Sequence, residues 1–307
     1  MSVVADPPPS SRPDRRRALL LGGLVALVCA MLAGVVLVAG SDPDPGPRAL
    51  WRDASAGTGT TPAPSGSPSA EASIPARPAP GTLPVIDYGP APGGFPADPD
   101  PASTVRLGEG LHPTGKLGVY DAPGGRPLAF VQPTISGVSL TMPIVRRRAG
   151  WAAVLLPSAT RRVGWLPPGG WETVPLRDLI VVARRSHTLT WLRDDAVVRT
   201  WSVTLGAAAT PTPLGRSFIL GQSRLPGAVY ADTPVFALGS VPENVDALPT
   251  GLRGAHIGIH TWYHDRELGR NTSDGCVRLT RSGQRLLLDE LVSGTEVVVV
   301  DDYRTAG

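Results

Sequence analysis

The chain has 307 residues, 36 of them glycine and 34 proline, and a formal net charge of +3. That length leaves room for about two domains once non-globular segments are set aside, and the Gly and Pro content marks part of the chain as unstructured. So small a charge, carried by dispersed arginines, argues against a nucleic-acid surface, and no repeat of about 20–50 residues is visible.

Residues 1–17 are polar and end in Arg15-Arg16-Arg17. Residues 18–40 then run 23 positions without a charge. At 1.5 Å per residue this is roughly 34 Å, enough to span a bilayer core of about 30 Å. The length predicts an uncleaved transmembrane anchor; a signal peptide, whose apolar core is about 7–15 residues, is the competing reading. Four arginines precede the run, while Asp42 and Asp44 follow it. The positive-inside rule therefore sets the N-terminus in the cytoplasm and residues 41–307 outside. Cys29 reads as an apolar membrane residue.

Residues 41–102 carry 15 prolines in 62 positions and show no sustained apolar period, the composition of a linker that reaches roughly 40–190 Å. Within it Val85-Ile86-Asp87-Tyr88 is an apolar patch too short to make a domain. Between 103 and 174 short apolar runs alternate with turn signals. Gly118-Val119-Tyr120, Leu128-Ala129-Phe130-Val131, Met142-Pro143-Ile144-Val145, Trp151-Ala152-Ala153-Val154-Leu155 and Val163-Gly164-Trp165-Leu166 read as strands of a small β-barrel or sandwich. The pattern Arg148-Ala149-Gly150-Trp151 followed by Gly164-Trp165-Leu166 resembles bacterial SH3-like domains. A spacer packed on the next domain, and a wall-binding module, are both open for it.

Residues 175–303 form the next unit. Strands are expected at 179–183, 188–192 and 197–205, with Asp194-Asp195 at a turn. Thr210-Pro211-Thr212-Pro213-Leu214-Gly215 forces an extended, turning segment, because proline fixes φ and biases its predecessor toward β. Residues 221–254, rich in Gly and Pro, look like an excursion walling a site. In His256-Ile257-Gly258-Ile259-His260 the isoleucines share one strand face, and His256, Gly258 and His260 the other. Gly258 leaves that face open to close backbone approach, and the loop 261–272 can return Cys276 beside His260. Thr280 is a candidate N-cap for a helix over 281–291, and an apolar strand closes the chain.

Cys276 is the one cysteine outside the apolar N-terminal run. It is either a nucleophile paired with a histidine or a buried thiol. Its position shortly before a helix start would favour the thiolate, and its amide with that of Gly275 could form an oxyanion hole. His256, His260 and His264, spaced by four, would suggest zinc on a helix, with Cys276 as a fourth ligand. Ile-Gly-Ile is poor helix material, however, and four residues along a strand span about 13 Å. No metal or cofactor is expected.

Three motifs in order, Thr210-Pro211-Thr212-Pro213-x-Gly215, Ile257-Gly258-Ile259-His260 and Ser273-x-Gly275-Cys276-Val277-Arg278, resemble the catalytic (YkuD) domain of the L,D-transpeptidases over about residues 177–302. The resemblance implies a mainly β fold, a sandwich or barrel with a short helix after the cysteine. It also implies action on peptidoglycan stem peptides without a cofactor. Cys276 would attack the carbonyl of the third stem residue and His260 would take its proton. D-alanine would leave, and an amine would resolve the thioester into a 3→3 cross-link, or water would trim the stem. Gly275 and Cys276 match the oxyanion turn, and Ser273 and Arg278 match positions that shape the site, with His256 and Gly258 on the cleft wall. Most members read Ser-His-Gly-Cys, so Asp274 departs from the pattern, and Thr261 stands where many have Gly. Asp274 could raise the thiol pKa or orient an amine. The rival reading is a wall-binding protein that keeps the fold without the chemistry. The whole is expected to be a membrane-anchored monomer acting at the cell wall.

Overall fold

Alternation of β-branched and aromatic residues with tight turns makes nearly all the regular structure extended. In the computed structural model the described residues are 73–158, 161–225, 233–239 and 257–304. The expected tail, the apolar run 18–40, most of the linker and His256 lie outside them. Among the described residues no helix is long and apolar enough to cross a membrane.

Strands β1 (Glu109–Pro113), β2 (Leu117–Tyr120), β3 (Pro127–Val131), β6 (Met142–Arg148), β7 (Trp151–Leu155), β8 (Val163–Leu166) and β9 (Trp171–Pro175) form a sheet in the order β3-β2-β8-β7-β6-β1-β9; β4 (Thr134–Ile135) and β5 (Val138–Ser139) make a small separate hairpin. The five strands expected here are present, and β1 and β9 are additional. Ala149 and Gly150 join β6 to β7 at φ +47° and +81°, the primed turn that matches strand twist.

The second sheet is built from β10 (Asp178–Ala183), β11 (Thr188–Arg193), β12 (Ala196–Ser202), β14 (Gly215–Ser223), β15 (Val235–Leu238), β16 (Gly258–Thr261), β18 (Val277–Leu279) and β19 (Glu296–Val300), ordered β12-β11-β10-β19-β14-β15-β16-β18. Short strands β13 (Leu205–Gly206) and β17 (Asn271–Ser273) pair beside it. Asp194 and Asp195, both at positive φ, close the β11–β12 hairpin. The apolar strand β19 is central as expected, parallel to β10 and antiparallel to β14. Helix α1 (Arg281–Glu290) starts at Thr280, whose hydroxyl accepts from the Gly283 amide at 3.1 Å. That cap satisfies one of the first-turn donors.

Strand β14, a member of the second sheet, sends side chains into both cores. Phe218 and Leu220 enter the core of the first sheet, whereas Ile219 between them enters the core of the second. The period of two along a strand allows one strand to serve both. The first sheet thus packs against the second through β14.

Residues 73–102 depart from the linker expectation. Ile86, Tyr88 and Phe95 are buried, and isolated bridges join Val85 to Phe130, Tyr88 to Ser158 and Ala97 to Arg162. Proline lacks an N–H but keeps its carbonyl. The segment accordingly docks largely through acceptors: Pro84 O receives Phe130 N at 2.8 Å, Pro96 O receives Val163 N at 2.9 Å, and Ile74 O receives the Trp151 indole at 2.7 Å, while the Ile86 amide donates to the Phe130 carbonyl at 2.8 Å. It is a strap laid across both sheets. At its end Asp98 forms a buried, two-point ion pair with Arg216 of β14, the Nε bond measuring 2.9 Å.

Candidate active site

At the far end of the second sheet β16 and β18 run parallel, with Ile259 opposite Val277, His260 opposite Arg278 and Thr261 opposite Leu279. Ile259 and Val277 are fully buried in the core. By alternation His260 and Arg278 therefore occupy the opposite face. Extending the register one residue back sets Cys276 against Gly258, and the Gly258 N–H donates to Cys276 Sγ at 3.4 Å. A side chain at 258 would put its Cβ 2.9 Å from the Phe236 carbonyl, so glycine is required by close packing of β15 and not only by site access. The structure thus brings Cys276, His260, Gly258 and Arg278 onto one face.

His260 is buried, and its Nδ1 lies 2.6 Å from the Thr261 carbonyl. A carbonyl can only accept, so Nδ1 carries the proton and Nε2 holds the lone pair of the neutral ring. Burial pulls the imidazole pKa down to about 4, opposed by the Thr261 bond and reinforced by the nearby Arg278 charge. Burial also pushes the Cys276 thiol up from its ordinary range; the Gly258 N–H and Arg278 act against this rise, and Asp274 adds to it. At neutral pH the pair is thiol and neutral imidazole.

This corrects the expectation of a thiolate favoured by a helix start. Cys276 leads into β18, and α1 begins only after that strand. The dipole field falls off within the first turn, so desolvation dominates.

The turn before Cys276 is tied by one side chain. Ser273, buried, accepts from the Gly275 N–H at 3.2 Å and donates to the Cys276 carbonyl at 2.6 Å. Gly275 sits at φ +109°, where its missing Cβ would lie 3.0 Å from Ile257 Cδ1. The Gly275 N–H is therefore engaged by Ser273 and does not stand open as an oxyanion donor. The Thr-Pro-Thr-Pro segment braces the turn from outside: Thr210 Oγ1 donates to the Ser273 carbonyl at 3.3 Å, and the Ala207 amide to the same oxygen at 2.8 Å. Thr212 Oγ1 accepts from the Gly206 amide at 2.9 Å. Asp274 is exposed, Thr261 buried, and His264 exposed beyond the strand end.

Three neighbours escaped the sequence reading. Trp262 stacks under the Arg278 guanidinium, 3.7 Å from ring centroid to Cζ, and meets His260 edge-on. Glu267, in the turn Asp265–Glu267, lies 3.4 Å from Arg278 Nη1. Tyr88, from the strap, has its phenol pKa raised by burial and then by the charge of Cys276. Trp262 is only two residues past His260 and could have been suspected. Tyr88 lies 188 positions before Cys276, and no local pattern joins them. His112 and His187 both have other work: the first, on β1, bonds the Leu140 carbonyl and the second Asn271.

A cysteine at the entrance to β18 and a tautomer-fixed histidine on the neighbouring parallel strand β16, inside a mainly β domain, are the candidate thiol and imidazole of the site. Residues 177–299 match the family model of the L,D-transpeptidase catalytic domain, YkuD. Two Bacillus subtilis (strain 168) proteins named as presumptive L,D-transpeptidases are similar to this chain. YkuD is 26% identical over 127 residues, 41% of this chain and 67% of that protein. YqjB is 26% identical over 142 residues, 45% of this chain and 80% of that protein. Among solved structures, an L,D-transpeptidase from Mycobacterium smegmatis is 18% identical, covers 46% of this chain and 74% of that one, and has a TM-score of 0.32. One from Mycobacterium tuberculosis H37Rv is 16% identical, covers 46% and 72%, and has a TM-score of 0.33.

Proposed function

We propose that the chain is a peptidoglycan L,D-transpeptidase in which Cys276 is the nucleophile and His260 the general base. The observation that carries this reading is the pairing of Gly258 N–H with Cys276 Sγ at 3.4 Å, two residues along the strand from a histidine whose Nδ1 is held by its neighbour's carbonyl. The resting pair is neutral, so His260 Nε2 takes the thiol proton as sulfur attacks the carbonyl of the third stem residue. The imidazolium returns that proton to the departing D-alanine amine, leaving a thioester. An amine of a neighbouring stem then attacks it, forming a 3→3 cross-link, and water in its place yields a tripeptide. With the Gly275 N–H engaged, the Cys276 amide is the oxyanion donor nearest the reacting sulfur.

No step requires a metal or organic cofactor. In this reading the apolar run 18–40, outside the described residues, anchors the protein and sets residues 41–307 on the cell-wall side. Incubating the protein with disaccharide tetrapeptide and following products by mass spectrometry tests the assignment. Release of D-alanine with dimer or tripeptide is expected, together with a thioester adduct on Cys276. No release by the wild type, or undiminished release by Cys276→Ala, would overturn it.

A further inference from the structure

Gln284 is fully buried on the inner face of α1, beside Leu287, which enters the core of the second sheet. A carboxamide among leucines costs free energy unless its polar atoms find partners. Its Nε2 finds two, donating to the Pro234 carbonyl at 3.0 Å and to the Ile259 carbonyl at 3.0 Å. Its Oε1 has no hydrogen-bond partner among the described residues. A methionine of similar length would bury no such group, so what the glutamine adds is the pair of N–H bonds.

The second of these bonds bears on the site. The Ile259 carbonyl belongs to the planar peptide unit whose nitrogen is that of His260, so a donor held on that oxygen fixes the plane from which the imidazole projects. Pro234 immediately precedes β15, which flanks β16 on the side away from β18. Gln284 therefore joins the approach to β15 and the middle of β16 to one helix. That helix is in turn tied to the cysteine. Only Thr280 separates β18 from α1, and its hydroxyl caps the first turn at Gly283. A Cβ at 283 would lie 2.9 Å from Trp201 Nε1 and 3.0 Å from Leu279 Cδ1, so this turn packs closely on the end of β18. The chain thus runs from Cys276 through β18 and Thr280 into α1, and at Gln284 it returns to the strand that holds His260.

The direct link between the two strands is short. Strand β18 has three residues and is the last in its sheet, and a short terminal strand with few ladder bonds opens easily. The Gln284 bond is a second connection between nucleophile and base, independent of that ladder.

We propose that Gln284 is a positioning residue, whose carboxamide holds the Ile259–His260 peptide so that the imidazole stays within reach of Cys276. Resting on the transpeptidase reading, its loss slows the step in which His260 takes the thiol proton and leaves substrate binding unchanged.

Gln284→Met keeps the length and bulk of the side chain and removes both N–H bonds. Tetrapeptide turnover by this variant should fall roughly tenfold to a hundredfold in kcat with KM nearly unchanged, the cost of a misplaced reacting group. Its thermal midpoint should stay close to that of the wild type, because the swap conserves volume. A residue that only anchored the helix would lower the midpoint and leave kcat per folded molecule intact; that result, or a change confined to KM, overturns the proposal. A second measurement uses the wild type alone. By nuclear magnetic resonance, the Gln284 carboxamide protons and the His260 ring N–H should both be protected from solvent exchange and should share one opening rate. Fast exchange at Gln284, or unrelated rates at the two groups, overturns the proposal even where Gln284→Met does not fold. If the wild type releases no D-alanine, the transpeptidase reading fails, while the exchange rates still decide whether Gln284 holds His260.

Discussion

Two places in the same eight-stranded sheet bury ionisable groups, and they treat them differently. At the centre, where the strap crosses β14 and β19, Arg216 faces two carboxylates. Asp98 pairs with it closely, and Glu296 lies 4.0 Å away while accepting the Leu107 amide at 2.9 Å. One cation cannot neutralise both acids, so burial drives the Glu296 pKa up to about 7, with the Leu107 bond and Arg216 opposing. At the sheet's end the acid and base of the β16–β18 site are both kept neutral by burial, and a cation beside them, Arg278, keeps an Nε without a partner among the described residues. The centre uses its ion pair to hold two sheets together and leaves Glu296 Oε1 without a hydrogen-bond partner among the described residues. The end carries a thiol and an imidazole of opposite chemical role, a donor of a proton and an acceptor of one.

The largest effects should separate the two places by kind. Cys276→Ala should lower tetrapeptide turnover by at least about 1,000-fold, and His260→Gln by about 100- to 10,000-fold, with little change in thermal midpoint. Arg216→Met should do the reverse. Leaving Asp98 and Glu296 buried without their cation should cost about 3–5 kcal/mol of stability, read by chemical denaturation. A large stability loss in His260→Gln would break the distinction.

A pH series sharpens it further. Glu296 binds its proton with a pKa of about 7 in the folded chain against an ordinary 4.5. Between those values the native state holds more protons than the unfolded one, so this group makes stability fall as pH rises through the window. The full swing is about 3 kcal/mol. Glu296→Gln should flatten the dependence of unfolding free energy between pH 5 and 8, and an unchanged slope would remove Glu296 as its source. His260 has the opposite sign: its depressed pKa gives stability that is present above the ordinary histidine range and is lost as pH falls toward about 4.

The smallest effect belongs to Asp274, an exposed carboxylate that is the least of the causes acting on Cys276. Asp274→Asn should speed iodoacetamide labelling of Cys276 at neutral pH by only a few-fold. Since burial is the main cause, labelling in both proteins should keep accelerating above the ordinary thiol range.

The strands containing the site were legible because they rest on local rules. Ile257 and Ile259 had to share a face, Gly258 and His260 the other, and the return loop had to bring Cys276 back. The strap was not legible: its prolines have the composition of a linker, and its docking uses carbonyl acceptors that leave no period in the residues. Val85-Ile86-Asp87-Tyr88 was the one visible trace. Glu296 gave no warning either, since a charged residue opening an apolar strand is normally exposed.

What the amino-acid sequence determined by itself is the mainly β fold of residues 177–299, the pairing of His260 with Cys276 as candidates, and the Thr280 cap. These follow from alternation, turn chemistry and capping, which act over a few residues. Only the tertiary structure decided that burial holds the thiol pKa up, that Ser273 engages the Gly275 amide, and that Arg278 is stacked on Trp262. It also decided that residues 73–102 belong to the fold. Those outcomes depend on desolvation and on partners from distant segments, and burial is a property of the packed chain.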